Sequence, residues 1–348
     1  MAEKIIFVEG DLTTGDGKIY GEFLNPIKMA LLHESDINEK KNGALSYLFN
    51  MEKSRNSSEA IVGQEGFNVY SPKNEGDEAE YDTFKNTDSK VIRHLTYAKT
   101  FKISMEAAED AKFGLTTTMR SGATELVRSY YSTRNYLAEM ALAKATDASF
   151  SMGSGTNAKT LDLTTGDGKA LFANDHGTNS NKCNYFKVGA EGLQATEDIE
   201  EILGELSDKI SCFEDAHGNI TGYTADTIIV PRCRGKLVRA LKKIAGTENA
   251  LGSGDNDINI QYGNWNIVVL PRWNTTCDEF MVMSSAANRA LAGNMFFQRS
   301  PLSIKRYVET ETRNLTYNGI ARMGIGFGTW KHIARVIASP DVETANTL

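Results

Sequence analysis

The sequence is short of the features that announce chemistry. Its four cysteines, Cys183, Cys212, Cys233 and Cys277, stand singly and never at CxxC spacing, so reduced thiols are expected rather than a disulfide framework or a thiolate metal site. The five histidines (His33, His94, His176, His217 and His332) never fall at HxH or HxxxH spacing, and no GxSxG motif supplies a nucleophile elbow. No apolar run approaches the roughly 20 residues that a membrane span requires. The opening MAEKIIFVEGDLTTG has no basic segment followed by an apolar core, so neither a secreted nor a membrane protein is expected. Positive charge is outnumbered, with 38 Lys and Arg against 45 Asp and Glu. A net charge of −7 excludes a protein that coats DNA along its length, because affinity for phosphate needs a basic face.

What is there is ordinary folding material. A hydrophobic fraction of 41% and a charged fraction of 24% are those of a globular chain, and 348 residues exceed the usual size of one core, which predicts two packed lobes. Near the start, Ile27–Leu32 and Ala44–Met51 are apolar clusters separated by HESDINEKKNG, and they read as short helices on an otherwise extended arm. Between Gln64 and Asp110 an acidic, Gly/Pro-marked stretch (YSPKNEGDEAEYDTF) precedes clean alternation at Val91, Arg93, Leu95, Tyr97, Lys99, Phe101 and Ile103, with His94, Thr96, Thr100 and Lys102 opposite. That period of two predicts a long β-hairpin with a charged tip, half exposed and in need of cover from another subunit.

From Leu115 to Ala145 apolar residues recur at spacings of three, four and seven without a proline, which predicts a helix of about 45 Å, with Gly122 marking a bend or a close approach. The octapeptide DLTTGDGK occurs twice, at Asp11–Lys18 and Asp162–Lys169, and reads as recurring turn chemistry. It is no phosphate loop, since neither Lys18 nor Lys169 is followed by Ser or Thr. Thr196–Ile210 reads as an amphipathic helix with Thr196 as N-cap. Thr227–Pro231, a basic helix Arg232–Ile244, Asn266–Arg272 and Phe280–Ser284 follow, so a compact mixed lobe is expected between Thr196 and Ser284, with a β-rich tail after it.

The candidates for chemistry are few. Asp175-His176 and Asp215-Ala216-His217 sit in Gly/Asn loops where a catalytic pair could live, although such residues more often cap turns. Glu309 and Glu311, two apart in a strand pattern, read as a solvated or subunit-facing stripe rather than a glycosidase pair. Lys236, Arg239 and Lys243 fall on one side of the basic helix, with Leu237, Leu241 and Ile244 on another; that cationic face suits nucleic acid, the acidic face of a neighbour, or plain solvent. No catalytic, cofactor-binding or metal-binding residue is assigned.

Taken together, the parts resemble the major capsid proteins of tailed bacteriophages with the Hong Kong 97-type fold, of the Mu-like head-subunit type. FKISMEAAEDA (Phe101–Ala111) is similar to the return of a capsid hairpin into its helix, and KALFANDHGTN (Lys169–Asn179) to a loop that Mu-like head subunits carry there. TIIVPRCRGKLVRAL, NWNIVVLPRW and GIARMGIGFGTWKHIA resemble the axial lobe and the final strands. The resemblance implies an α+β chain with an N-terminal arm (1–63), an E-loop hairpin (64–103), a peripheral domain with its spine helix (104–190), an axial domain (191–295) and return strands of the peripheral domain (296–348).

It further implies a non-enzymatic head subunit that assembles as hexamers and pentamers into an icosahedral shell around phage double-stranded DNA. Such a subunit is made in the bacterial host cytoplasm and resides in the virion. The implied partners are copies of the chain itself, a portal protein, a separate scaffolding protein, a decoration protein and weakly held DNA, with no cofactor and no membrane. Subunit contacts are expected at Phe67, Tyr70, Tyr81, Phe84, Lys85 and Lys90. Lys73, Lys85 and Lys90 offer the amine that some relatives cross-link, but the partner asparagine and the promoting acid find no match. The rival readings are an encapsulin-like nanocompartment, a soluble hydrolase using Asp175/His176, and a nucleic-acid-binding module acting through the basic helix.

Overall fold

A computed structural model describes residues 6–9, 27–38, 43–65, 67–82, 85–110, 115–176, 182–189, 191–215, 217–248 and 259–339. In chain order these form β1 (Ile6–Glu9), α1 (27–38), α2 (Ala44–Leu48), β2 (Asn50–Lys53), β3 (Ser58–Glu65), β4 (Lys85–Arg93), β5 (Leu95–Ile103), α3 (Met105–Asp110) and α4 (Leu115–Ala143). There follow β6 (Ser149–Met152), β7 (Lys159–Asp162), β8 (Tyr185–Val188), α5 (Thr196–Ser211), β9 (Thr227–Pro231), α6 (Gly235–Gly246), β10 (Asn266–Leu270), β11 (Glu279–Met283), α7 (Ser285–Ala290), β12 (Asn294–Val308), β13 (Leu315–Phe327) and β14 (Ile333–Ala338). The fold is α+β.

The first sheet is organised by its longest pair. β12 and β13 run antiparallel over almost their whole lengths, and β5 adds to β13 with Leu315 opposite Ile103 and Met323 opposite Leu95. β1 and β2 both pair with β12 in parallel, at different points along it. The spine helix α4 lies across β5 and β13 and buries Ala123, Leu126, Val127, Tyr130, Leu137 and Ala141. Gly122 marks a close approach rather than a bend, because a Cβ there would overlap the Phe101 ring of β5.

The second sheet has the order β10-β9-β11-β14-β8. β9 and β10 are parallel and joined through α6, as a parallel pair requires a crossover, while β11 runs antiparallel to both β9 and β14. The five residues of β9 and the five of β11 are all buried, so these two strands form the centre of the sheet. α5 and α6 pack on this sheet and on each other.

Several expectations are corrected. The two lobes share one continuous buried cluster that runs from Ile27 through the spine to Ala338. Both predicted arm helices form, but they lie on the spine rather than along an extended arm: Ile27, Leu31, Leu45 and Leu48 are buried, Arg128 Nε donates to Glu34 at 2.6 Å, and Asn50–Lys53 is a strand of the first sheet. The alternation from Val91 to Ile103 is two strands, not one. β4 pairs with β3 as the true hairpin, starting at Ser58, whereas β5 leaves it at His94 to join β13. His94, placed by period on a solvated face, is buried against Phe297.

The expected return strand β14 belongs to the second sheet, between β11 and β8. Thr196 is the first helical residue and Ala195 occupies the N-cap, while the basic helix begins at Gly235, with Arg232–Arg234 in the turn before it. Glu309 and Glu311 sit in the β12–β13 turn instead of along a strand.

Candidate functional site

The hairpin carries its tip beyond β3 and β4, with Asn219 Nδ2 of the second half of the chain donating to Asn68 Oδ1 at 3.0 Å. Gly76 adopts φ 90°, which only glycine takes without strain, and reverses the chain there. Asn68 N–H donates to Asp82 Oδ2 at 2.6 Å, Ser71 Oγ to Glu80 Oε2 at 2.6 Å, and Lys73 Nζ to the Asp77 carbonyl at 2.8 Å. Those bonds hold the two limbs together. Phe67, Val69, Tyr70 and Tyr81 are exposed, Tyr70 at 99% and Tyr81 at 93%. Soluble chains rarely expose clustered aromatics unless something covers them.

The root of the hairpin is tied down. Lys90 is buried, bonds Asp162 Oδ2 at 2.5 Å and also reaches the Thr164 hydroxyl, which joins β4 to the second DLTTGDGK copy. Burial pulls the Asp162 carboxyl up, but the bonds from Lys90 and Thr164 outweigh it and hold the group below its ordinary range. Lys90 is therefore directed at its own chain and is not an open contact for a neighbour. Phe84 lies outside the described residues, and Lys85 is placed as the first residue of β4, opposite Glu65.

The histidine loop is a packing device. His176 is fully buried and stacks on Trp330 with ring centroids 4.5 Å apart and 9° between planes. Its Nδ1 lies 2.7 Å from Asp167 Oδ2, and its Nε2 faces the Leu171 carbonyl and Asn184 Oδ1, each at 3.2 Å. Asp175, the expected catalytic partner, points away to Lys169 Nζ at 2.8 Å. Burial pushes the Asp167 carboxyl up, yet the His176 and Thr165 bonds and the His176 charge outweigh it and leave the group at about 2. The imidazole is buried and held between three acceptors. Asp215 likewise caps a turn, accepting from the backbone N–H groups of His217 and Asn219 at 2.8 Å each. All four cysteines are free thiols, and among the described residues no group of His, Cys, Asp and Glu is placed to hold a metal ion.

α6 has a buried and an exposed face. Leu237, Leu241 and Ile244 are buried against the second sheet, while Lys236, Arg239, Lys242 and Lys243 are exposed. Its neighbour α5 buries Ile199, Ile202, Leu203, Leu206 and Ile210 and exposes Glu197, Asp198, Glu201, Glu205 and Asp208.

Two ion pairs, one within the second sheet and one between that sheet and the spine, left no mark in the sequence. Arg335 of β14 donates to Glu279 Oε2 of β11 at 2.6 Å and 3.0 Å, and Trp273 Nε1–H donates to Glu279 Oε1 at 3.1 Å. Glu139 of the spine accepts from the Arg272 side chain at 2.8 Å and from its backbone N–H at 2.9 Å. Their partners are over 50 and over 130 residues apart, so no spacing rule reaches them.

Among the described residues no helix is long and apolar enough to cross a membrane. No family model matches the sequence, and no curated protein matches it. Solved structures do. The chain is similar to the capsid of the cyanophage P-SCSP1u, with a TM-score of 0.50 and 13% identity over 86% of this chain and 89% of that one. It is equally similar to the capsid of a native GTA particle, with a TM-score of 0.50 and 13% identity over 85% of this chain and 90% of the other. An order of parts that spans both chains almost end to end at so low an identity speaks to the fold: this chain has the Hong Kong 97-type fold of tailed-bacteriophage major capsid proteins.

Proposed function

We propose that the chain is the major head subunit of a bacteriophage, a structural protein without catalysis that assembles as hexamers and pentamers into an icosahedral shell around double-stranded DNA. The observation that supports this reading, beyond the fold, is the hairpin tip, where Val69, Tyr70 and Tyr81 stand largely exposed to solvent. A permanent assembly needs well over about 2,000 Å² of buried surface, which an arm of this length and a set of exposed aromatics can supply when laid on a neighbour. Phe67, Tyr70 and Tyr81 are the contacts we assign to that interface. The acidic balance of the subunit suits a container, since a basic wall would hold its cargo too tightly for release.

Portal, scaffolding and decoration proteins are the partners such a shell calls for, with residence in the virion after synthesis in the host cytoplasm. The hydrolase reading loses its support with His176 sealed in the core. The test is to express the chain alone and with its scaffold candidate, then measure sedimentation and negative-stain images. Closed shells tens of nanometres across, or rings that convert to shells, are expected; a monomer or dimer under every condition would sink the reading. Nucleic acid inside the particles separates a phage head from a nanocompartment that holds enzymes.

A further inference from the structure

We propose, building on the shell reading, that α5 and α6 are the two halves of one head-to-tail contact, the basic face of α6 in one copy meeting the acidic face of α5 in the next. The two helices lie side by side on the second sheet, α6 against the edge strand β10 and α5 against β11 and β14. Lys236, Arg239, Lys242 and Lys243 are exposed on the one, and Glu197, Asp198, Glu201, Glu205 and Asp208 on the other. Adjacent helices of opposite sign would be expected to pair, yet among the described residues no ion pair joins them. Each face is left whole.

The helix dipole explains only part of this placement, favouring Lys243 in the last turn of α6 and Lys209 in the last turn of α5. Acids favour the first turn of a helix, which accounts for Glu197 and Asp198 but not for Glu201, Glu205 and Asp208 further along. On α6, Lys236 stands in the first turn, where the helix dipole disfavours a cation, and Lys236/Arg239 and Arg239/Lys243 are like-charged pairs at spacings of three and four that repel. A neighbour carrying a complementary strip relieves both. In the shell reading each copy offers α6 to one neighbour and α5 to the other, a heterologous contact that propagates round a ring until it closes, whereas a two-fold use of the same strips would stop at a dimer that sedimentation distinguishes. Nucleic acid fits less well. A phosphate backbone drawn to α6 would meet the carboxylates of α5 beside it, on a subunit of net charge −7.

The test uses the full-length chain, assembled with its scaffold and followed by sedimentation velocity and negative-stain imaging at low and high salt. Three variants are compared: Lys236→Glu with Arg239→Glu and Lys243→Glu; Glu197→Lys with Glu201→Lys and Glu205→Lys; and all six together. All sites are exposed, and each variant is first shown to melt as the wild type does. Either triple variant is expected to need at least about tenfold more protein to form rings. The six-site variant, in which the signs are exchanged but still complementary, recovers assembly. An equimolar mixture of the two triple variants forms alternating, even-membered rings. Triple variants that assemble as readily as the wild type, or folded six-site and mixed samples that both stay apart, would overturn the contact while leaving the shell reading intact. Rings that persist after α6 reversal but retain less DNA would give that helix to nucleic acid instead. A wild-type chain that never assembles overturns the contact and the shell together.

Discussion

His176 Nδ1 lies 2.7 Å from Asp167 Oδ2, a residue of the repeated octapeptide, and not against Asp175, its neighbour in sequence. The pair pins a turn to a loop beneath Trp330. Because the Asp167 carboxyl titrates at about 2 in the folded chain, below its unfolded value of 3.8, its contribution to stability is complete above about pH 4 and is lost as pH falls toward 2. Asp167→Asn is expected to cost about 2 kcal/mol at neutral pH. The gap between variant and wild type should narrow between pH 4 and 2 in urea unfolding curves; a gap that stays constant would mean that the carboxylate charge is irrelevant.

His332 acts in the same sense as Asp167 but over a higher pH window. Complete burial, with its Nε2 facing Asn294 Oδ1 at 2.8 Å, pushes the imidazole down to about 3 from an ordinary 6.5. The unfolded chain therefore takes up this proton first, so stability is full above about pH 6.5 and falls steadily as pH drops from 6.5 to 3. His332→Gln should be less stable than wild type at pH 7 and should show a shallower acid decline across that window. Parallel pH profiles for the two proteins would refute the assignment.

Glu279 offers a test of the join between β11 and β14. With Arg335 on one oxygen and Trp273 on the other, replacing it by Gln leaves a guanidinium buried between Trp273 and Phe172 without a counter-charge. The expected loss is about 3 kcal/mol or more by chemical denaturation, and Glu279→Gln with Arg335→Met should recover part of it. Equal losses in the single and double variants would show that the unpaired guanidinium is not the source of the cost.

Tyr70 and Tyr81 separate folding from assembly. Both are almost wholly exposed, so Tyr70→Ala with Tyr81→Ala should move the subunit's unfolding free energy by no more than about 0.5 kcal/mol. Shell yield should nonetheless fall by an order of magnitude or more, since buried aromatic anchors dominate interfaces. Shells formed at wild-type yield would mean that the tip covers nothing.

Periodicity made the helices legible. The three-and-four spacing located α4 almost to its ends, and the apolar stripe of α5 and the split faces of α6 are as the residues dictate, because a helix is set by contacts within a few residues of itself. The succession from Thr196 to Ser284 was legible for the same reason, each segment being long enough to show its own period.

Strand partners were another matter. A period of two says that a segment is a strand with two faces, but it is blind to what lies alongside. The run from Val91 to Ile103 therefore looked continuous, although the chain changes partner at His94 from β3 to β13. The crossing of β14 into the second sheet, the choice of Asp167 over Asp175 by His176, and the pairing of Arg335 with Glu279 are of the same kind. The sequence by itself determined which residues form helices and strands and which faces are apolar, since those depend on local geometry and water. Only the tertiary structure decided which strands meet, which polar groups are sealed together and which apolar side chains stay exposed, because burial is shared among segments far apart in the chain.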